Sequence, residues 1–160
     1  MRRRCQSLSV LDSILMPVWD YRFFSYNSKW GDNEEMASMR NGAGSEYYIV
    51  FNKDGAIGKV FKQGIRVHNI SNLQNCIPES FSFFIREEAF NNADVSFYFW
   101  SFIVNPNEWM STSICENDML DFLIYDSDTY HKWAENYYER DISIDSINSI
   151  YNHEDRKSVV

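Results

Sequence analysis

The sequence predicts an α+β fold: an antiparallel meander, with a hairpin at 47–61, packed on C-terminal helices. Three observations carry this. All six glycines lie between Gly31 and Gly64, which concentrates turn chemistry in the first half of the chain. The stretch YYIVFNKDGAIGKVF places β-forming residues on both sides of a turn sequence. After Asp126 the apolar residues recur at helical spacing. A chain of 160 residues suits a single domain over 1–160 and is long enough to bury a core.

The elements follow in order. Ser7 to Met16 sets Leu8, Leu11 and Leu15 on one helical face, and Pro17 stops the helix. Trp19 to Asn27 alternates, with Trp19, Tyr21 and Phe23 on one side, as a strand does. NSKWGDNEE reads as a polar turn around Gly31, and Glu34 to Arg40 fits a strand or a helix, the strand giving the next element of the meander. Tyr47–Phe51 and Ala56–Phe61 form the hairpin, closed by Asn52-Lys53-Asp54-Gly55 in a type I turn with Gly55 at positive φ. A helix is expected from Pro78, carrying Phe81, Phe84 and Ile85 and broken at Asn91-Asn92. VSFYFWSFIV is a near-continuous apolar run, the pattern of a strand buried on both faces or set centrally in a sheet, and Pro106 ends it. Met119–Ile124 fits a helix or a strand. Asp126 then caps a helix whose Tyr130, Trp133, Ala134, Tyr137 and Tyr138 share one face. Ser143 caps another, with Ile144, Ile147, Ile150 and Tyr151 inward.

The stretch RNGAGSEYYIVF holds closely spaced glycines, as phosphate loops do. A phosphate loop, however, follows a strand and opens a helix, so that amides and the helix dipole face the anion. Here the glycines precede a strand and a hairpin, and no Lys-Ser or Lys-Thr pair follows. Gly42 and Gly44 are read as turn residues.

No other stretch carries a recognisable catalytic pattern. Cys5, Cys76 and Cys115 form no C-x-x-C pair and read as free thiols of a reducing cytoplasm. His68, His131 and His153 stand in no metal-ligand spacing; Asp126-x-Asp128-x-x-His131 comes nearest and reads more simply as a cap and a solvent-facing histidine. Glu87-Glu88 reads as a solvated helix end. No cofactor or metal is expected. Asp12 interrupts the apolar start and no small-residue cleavage site follows it, so no leader or membrane association is expected.

Charge is the informative feature. Residues 116–155 hold 11 acidic and 2 basic side chains, against 12 acidic and 11 basic in residues 1–115. Such a segment repels a phosphate backbone, which argues against nucleic-acid binding. The run Arg2-Arg3-Arg4 is too short to reverse this and reads as a solvated N-terminus. The apolar residues claim the inner face of the C-terminal helices, so Asp118, Asp121, Asp126, Asp128, Glu135 and Glu139 should point outward together. They form the candidate contact for a basic protein partner, although net charge also simply maintains solubility.

A second candidate rests on the 12 Phe, 10 Tyr and 5 Trp. These fill a core efficiently, or line a ligand pocket formed by Trp19, Tyr26 and Trp100, with Arg40 as an anion clamp. The stretch NSKW…MASMRNGAGSEYYIVFNKDGAIGKVF resembles segments of small, acidic, cytoplasmic bacterial proteins. The overall profile is similar to that of toxin-neutralising immunity proteins. That likeness implies a cytoplasmic binding role, immunity or adaptor, and points to no particular residue.

Overall fold

The computed structural model describes residues 1–113 and 118–152. Cys115 and His153 lie outside these. The sequence predicts one domain over 1–160; the chain's contacts group into two compact units, Tyr26–Met119 and the pairing of Met1–Ser25 with Leu120–Val160. The fold class is α+β, with a six-stranded antiparallel meander in the order β1-β2-β3-β4-β5-β6.

The strands are β1 Phe24–Gly31, β2 Glu34–Arg40, β3 Glu46–Asn52, β4 Gly55–Phe61, β5 Phe97–Phe102 and β6 Met110–Ser111. The hairpin stands where the turn sequence puts it. Asn52 pairs with Gly55, the Asn52 side chain accepts the Asp54 amide at 2.9 Å, and Gly55 takes a φ of 142°. The GAG loop joins β2 to β3. Asn41 Oδ1 accepts the amides of Ala43 and Ser45, and Gly42 and Gly44 supply positive φ. It is a turn between strands, as expected.

Register decides what each face of the sheet carries. Val50 lies opposite Ile57, and Ile57 opposite Trp100. The neighbouring row runs Ile49, Gly58, Phe99 and points the other way. Both rows are buried apart from the glycine's missing side chain, and so are all four residues Phe97 to Trp100. Up to Ser101 the apolar run therefore behaves as the doubly buried strand its composition announced, whereas its last residues, Ile103 and Val104, lie exposed in the turn after β5.

On the Val50 face, Ile57, Tyr98 and Trp100 join Phe81, Phe84, Phe90 and Val95 in one cluster. Within this unit the cover comes from the segment 70–90. It contains α2 Ile70–Gln74, a 3₁₀ turn Glu79–Phe81, α3 Phe83–Arg86 and a second 3₁₀ turn Glu88–Phe90. The expected continuous helix from Pro78 is thus broken into short turns. Side chains compete for its backbone. The Glu87 side chain accepts the Ala89 backbone amide at 3.1 Å, and the Asn92 side-chain Nδ2 donates to the Phe84 carbonyl at 2.9 Å and to that of Ile85 at 3.2 Å. Phe81 and Phe84 still reach the core as their spacing requires.

The other unit is helical. α1 spans Arg2–Leu15, α4 Ser127–Tyr138 and α5 Ile144–Asn152; α5 packs against both α1 and α4. A 3₁₀ helix, Asp118–Leu123, precedes α4. Leu8, Leu11 and Leu15 are buried on α1 as spaced. Two expectations at this end are corrected. Trp19–Asn27 is not one strand: Trp19–Tyr21 is a 3₁₀ turn, Trp19 and Tyr21 are exposed, and pairing begins at Phe24. The cause is that the Asp12 carboxylate takes the Phe23 and Phe24 amides, while Arg22 folds back on the carbonyls of Met16 and Pro17. Nor are the N-terminal arginines merely solvated. The helix begins at Arg2, and the Arg4 guanidinium stacks on the Tyr151 ring at 4.0 Å.

α4 ends on Glu139 with φ 50°, a left-handed conformation that costs a side-chain-bearing residue roughly 1–2 kcal/mol. Replacing Glu139 by glycine should therefore raise stability by about 0.5–1 kcal/mol, after glycine's own entropy cost. Urea unfolding of the variant measures this directly; unchanged or reduced stability would mean that the Glu139 side chain does more than end the helix.

Candidate functional site

α4, which carries Asp128 and Glu135, packs on a bed of rings. Phe23 and Phe24, delivered by the chain leaving Asp12, meet Phe122, Trp133 and Tyr137. The Phe122–Trp133 and Phe23–Trp133 pairs stand edge to face, 4.8 and 4.9 Å between centroids, the geometry favoured by ring quadrupoles. Tyr130 and Ala134 are fully buried below them. Tyr137 stacks on Trp133 and remains 42% exposed, so this aromatic layer reaches the surface of α4. Ile124, just before the cap, is 80% exposed.

Asp126 caps α4, accepting the Thr129 amide at 2.8 Å. The hydrogen bonds from Thr129 hold its carboxyl below the usual range. Glu135, partly exposed, is engaged at the helix end: it accepts the Ile142 amide at 3.1 Å and lies 3.1 Å from His131 Nε2. His131 is not solvent-facing as expected. Its ring nitrogen sits 2.6 Å from the Ile142 carbonyl oxygen, and the side chain is mostly buried. Asp126 and His131 are thus both occupied by the backbone. Among the described residues no three His, Cys, Asp or Glu side chains gather as metal ligands.

Asp118 lies in the sheet unit, whereas the other five predicted acids belong to the helical one. It pairs with Lys62 at 2.7 Å, and the Lys62 ammonium holds its carboxyl below the usual range. Asp121 is half-buried, and its backbone carbonyl accepts the Ile124 and Tyr125 amides. Asp128 and Glu139 are exposed and make no ion pair to another described residue; the same holds for Asp141 and Asp145. So the structure divides the predicted set. Asp126 and Glu135 serve the helix ends, Asp118 is paired, Asp121 is half-buried, and Asp128 and Glu139 remain open to solvent together with Asp141 and Asp145.

The aromatic candidates fare differently. Tyr26 donates its hydroxyl to Glu35 and stacks on Phe51. Trp100 is buried in the cluster with Val50. Val50 and Phe51 are consecutive in β3, so Tyr26 and Trp100 contact opposite faces of the sheet and share no pocket. Arg40 ends β2 opposite Glu46. Trp19 lies in its own exposed turn.

Sequence reasoning missed the buried charges. Asp12 has no exposed surface and accepts three donors: the Phe23 and Phe24 amides at 2.5 and 2.7 Å, and the Tyr138 hydroxyl. Burial keeps its carboxyl above the ordinary range, although the hydrogen bonds pull the other way. Burial and the Asp12 charge push the Tyr138 and Tyr130 hydroxyls up, so both stay protonated. A fully enclosed carboxylate with three donors is a structural clasp, not a base. Lys59 is the counterpart in the sheet. It is fully buried, and its ammonium donates to the Asn91 and Asp94 carbonyls at 2.9 and 2.7 Å. The signal for Asp12 was present: an acid on the same helical face as Leu8, Leu11 and Leu15.

The chain matches no family model, no curated protein and no solved structure. Its own residues therefore carry the functional reading. Among the described residues no helix is long and apolar enough to cross a membrane.

Proposed function

We propose that this chain is a non-enzymatic cytoplasmic binding protein that meets a basic protein partner through the acidic surface of its C-terminal helices. An immunity or adaptor role is one concrete form. The observation that carries the reading is the segregation of charge: 11 acidic against 2 basic side chains in residues 116–155. Asp128, Glu139, Asp141 and Asp145 add to it, because their exposed carboxylates are not spent on ion pairs with described residues. Exposed acids of one sign steer a basic partner and fix its orientation more than they supply binding energy. Apolar anchors supply the rest, and Tyr137, rooted on Trp133 and partly exposed, has the character of one.

The test is charge reversal at exposed positions. The combined variant Asp128→Lys, Glu139→Lys, Asp145→Lys should keep the wild-type Tm to within a few degrees. It should lose at least tenfold in affinity for a basic partner, and the salt dependence of binding should flatten, because exposed charge pairs are screened by salt. Unaltered affinity and salt slope would remove the acidic surface from the interface.

A further inference from the structure

The sheet unit contains a cleft of about 390 Å³, within the range of small-ligand sites. Its walls are made of two segments. One is the end of β4 and the loop after it, with Phe61, Arg66, Val67 and Ile70; the other is the turn carrying Asp94 and Val95.

Both walls are held in place from below. Lys62 N donates to Ser96 Oγ and Gln63 N to Ser45 Oγ, each at 2.9 Å, which pins the loop as it leaves β4. The opposite turn is fixed by Lys59. Taking an ammonium out of water is costly, and the two carbonyls it binds are those of Asn91 and Asp94, at the ends of that turn. A buried cation thus fixes the shape of one wall.

The charges lining the cleft are unequal in availability. The Asp94 carboxylate already accepts the Asn91 side-chain amide at 2.7 Å. Arg66 is the cation among the described lining residues, is exposed, and makes no hydrogen bond or ion pair with another described residue. Beside it stand apolar side chains, among them Phe61, Val67, Ile70 and Val95. A planar guanidinium takes a carboxylate through two parallel hydrogen bonds.

We propose that this cleft binds a small carboxylate with an apolar body. The body lies against Phe61, Val67, Ile70 and Val95, and the carboxylate is held by Arg66. The site is independent of the acidic helical surface, and each can fail without the other.

Amide NMR titration tests it, with phenylacetate and hexanoate as probes and their uncharged amides as controls. The acids should shift the amides of residues 63–67 and 93–95 saturably. The uncharged analogues should bind at least tenfold more weakly. Arg66→Gln, at an exposed position, should abolish that preference without altering Tm, and Arg66→Lys should restore part of it. Ala93→Phe, narrowing the rim, should weaken acids and amides alike. The proposal is overturned if neither acid shifts these residues up to its solubility limit or if the shifts map elsewhere. It is equally overturned if acid and amide bind alike, or if Arg66→Gln leaves the preference intact.

Discussion

Replacing Asp12 by alanine should cost the protein about 3 kcal/mol or more, since each buried donor left unsatisfied costs roughly 1–3 kcal/mol. Three donors lose their acceptor at once: the Phe23 and Phe24 amides and the Tyr138 hydroxyl. Asp12 is fully buried, so water does not replace the carboxylate without entering the core. The clasp ties α1 to the start of β1 and to the end of α4, and its loss should loosen all three. Asp12→Asn provides the control. An asparagine oxygen still accepts the two amides and its NH₂ donates to Tyr138, so the expected cost is about 1 kcal/mol.

The same pair of proteins yields a pH prediction whose sign is fixed. Burial raises the folded-state pKa of Asp12 above its ordinary value of 3.8. A raised carboxyl favours the folded state most where it is protonated in both states, below that value. The contribution is lost as pH rises through the folded-state pKa. The stability of wild type relative to Asp12→Asn should therefore fall as pH rises from about 3 and then level off. Taking the difference cancels Asp118 and Asp126, whose lowered carboxyls act in the opposite direction. A difference that grows with rising pH would show that the three hydrogen bonds outweigh desolvation.

Gly55→Ala is the second large effect. Gly55 sits at φ 142°, and an added methyl would lie 2.1 Å from the Ser101 carbonyl oxygen and 2.9 Å from the Phe102 Cα. That neighbour is backbone and has little room to yield. The Ile103 amide is bonded to the Asp54 carbonyl at 2.9 Å, which pins the end of β5 against the hairpin, and Ser101 Oγ to the Asn105 carbonyl, which holds β5 to the turn that follows it. The expected loss is about 2–4 kcal/mol, combining backbone strain with overpacking, or very roughly 5–15 °C in Tm for a chain of this size. Gly42→Ala is the matching control. It has a positive φ of 72° but open space around the missing Cβ, so only the conformational cost of about 1 kcal/mol remains. Equal losses at the two sites would show that the approach of β5 is unimportant.

Local chemistry was legible wherever it acts locally. The NKDG turn, the GAG loop, the caps at Asp126 and Ser143 and the doubly buried run at 97–100 all stand where their residues place them. What could not be read were decisions taken by distant side chains. The backbone after Pro17 leaves the strand pattern because Asp12, eleven residues earlier, claims its amides. The helix expected after Pro78 breaks because Asn92 reaches back to the carbonyls it would have used. For the candidate site, the sequence located the acidic segment. It could not tell that Asp126 and Glu135 serve helix ends or that Asp118 pairs with Lys62. The Arg66 cleft was out of reach for the same reason: its walls come from segments about thirty residues apart, brought together by Lys59.

The central claim is that the acidic helical surface receives a basic partner. The most direct measurement compares wild type with the Asp128→Lys, Glu139→Lys, Asp145→Lys variant as baits in a native cell lysate, each at 50 mM and 500 mM salt. The expected result is a basic protein retained by wild type at low salt, released at high salt and absent from the variant. Identical retention by both baits, or no basic protein on wild type at low salt, would contradict the claim and leave those carboxylates as a solubilising surface.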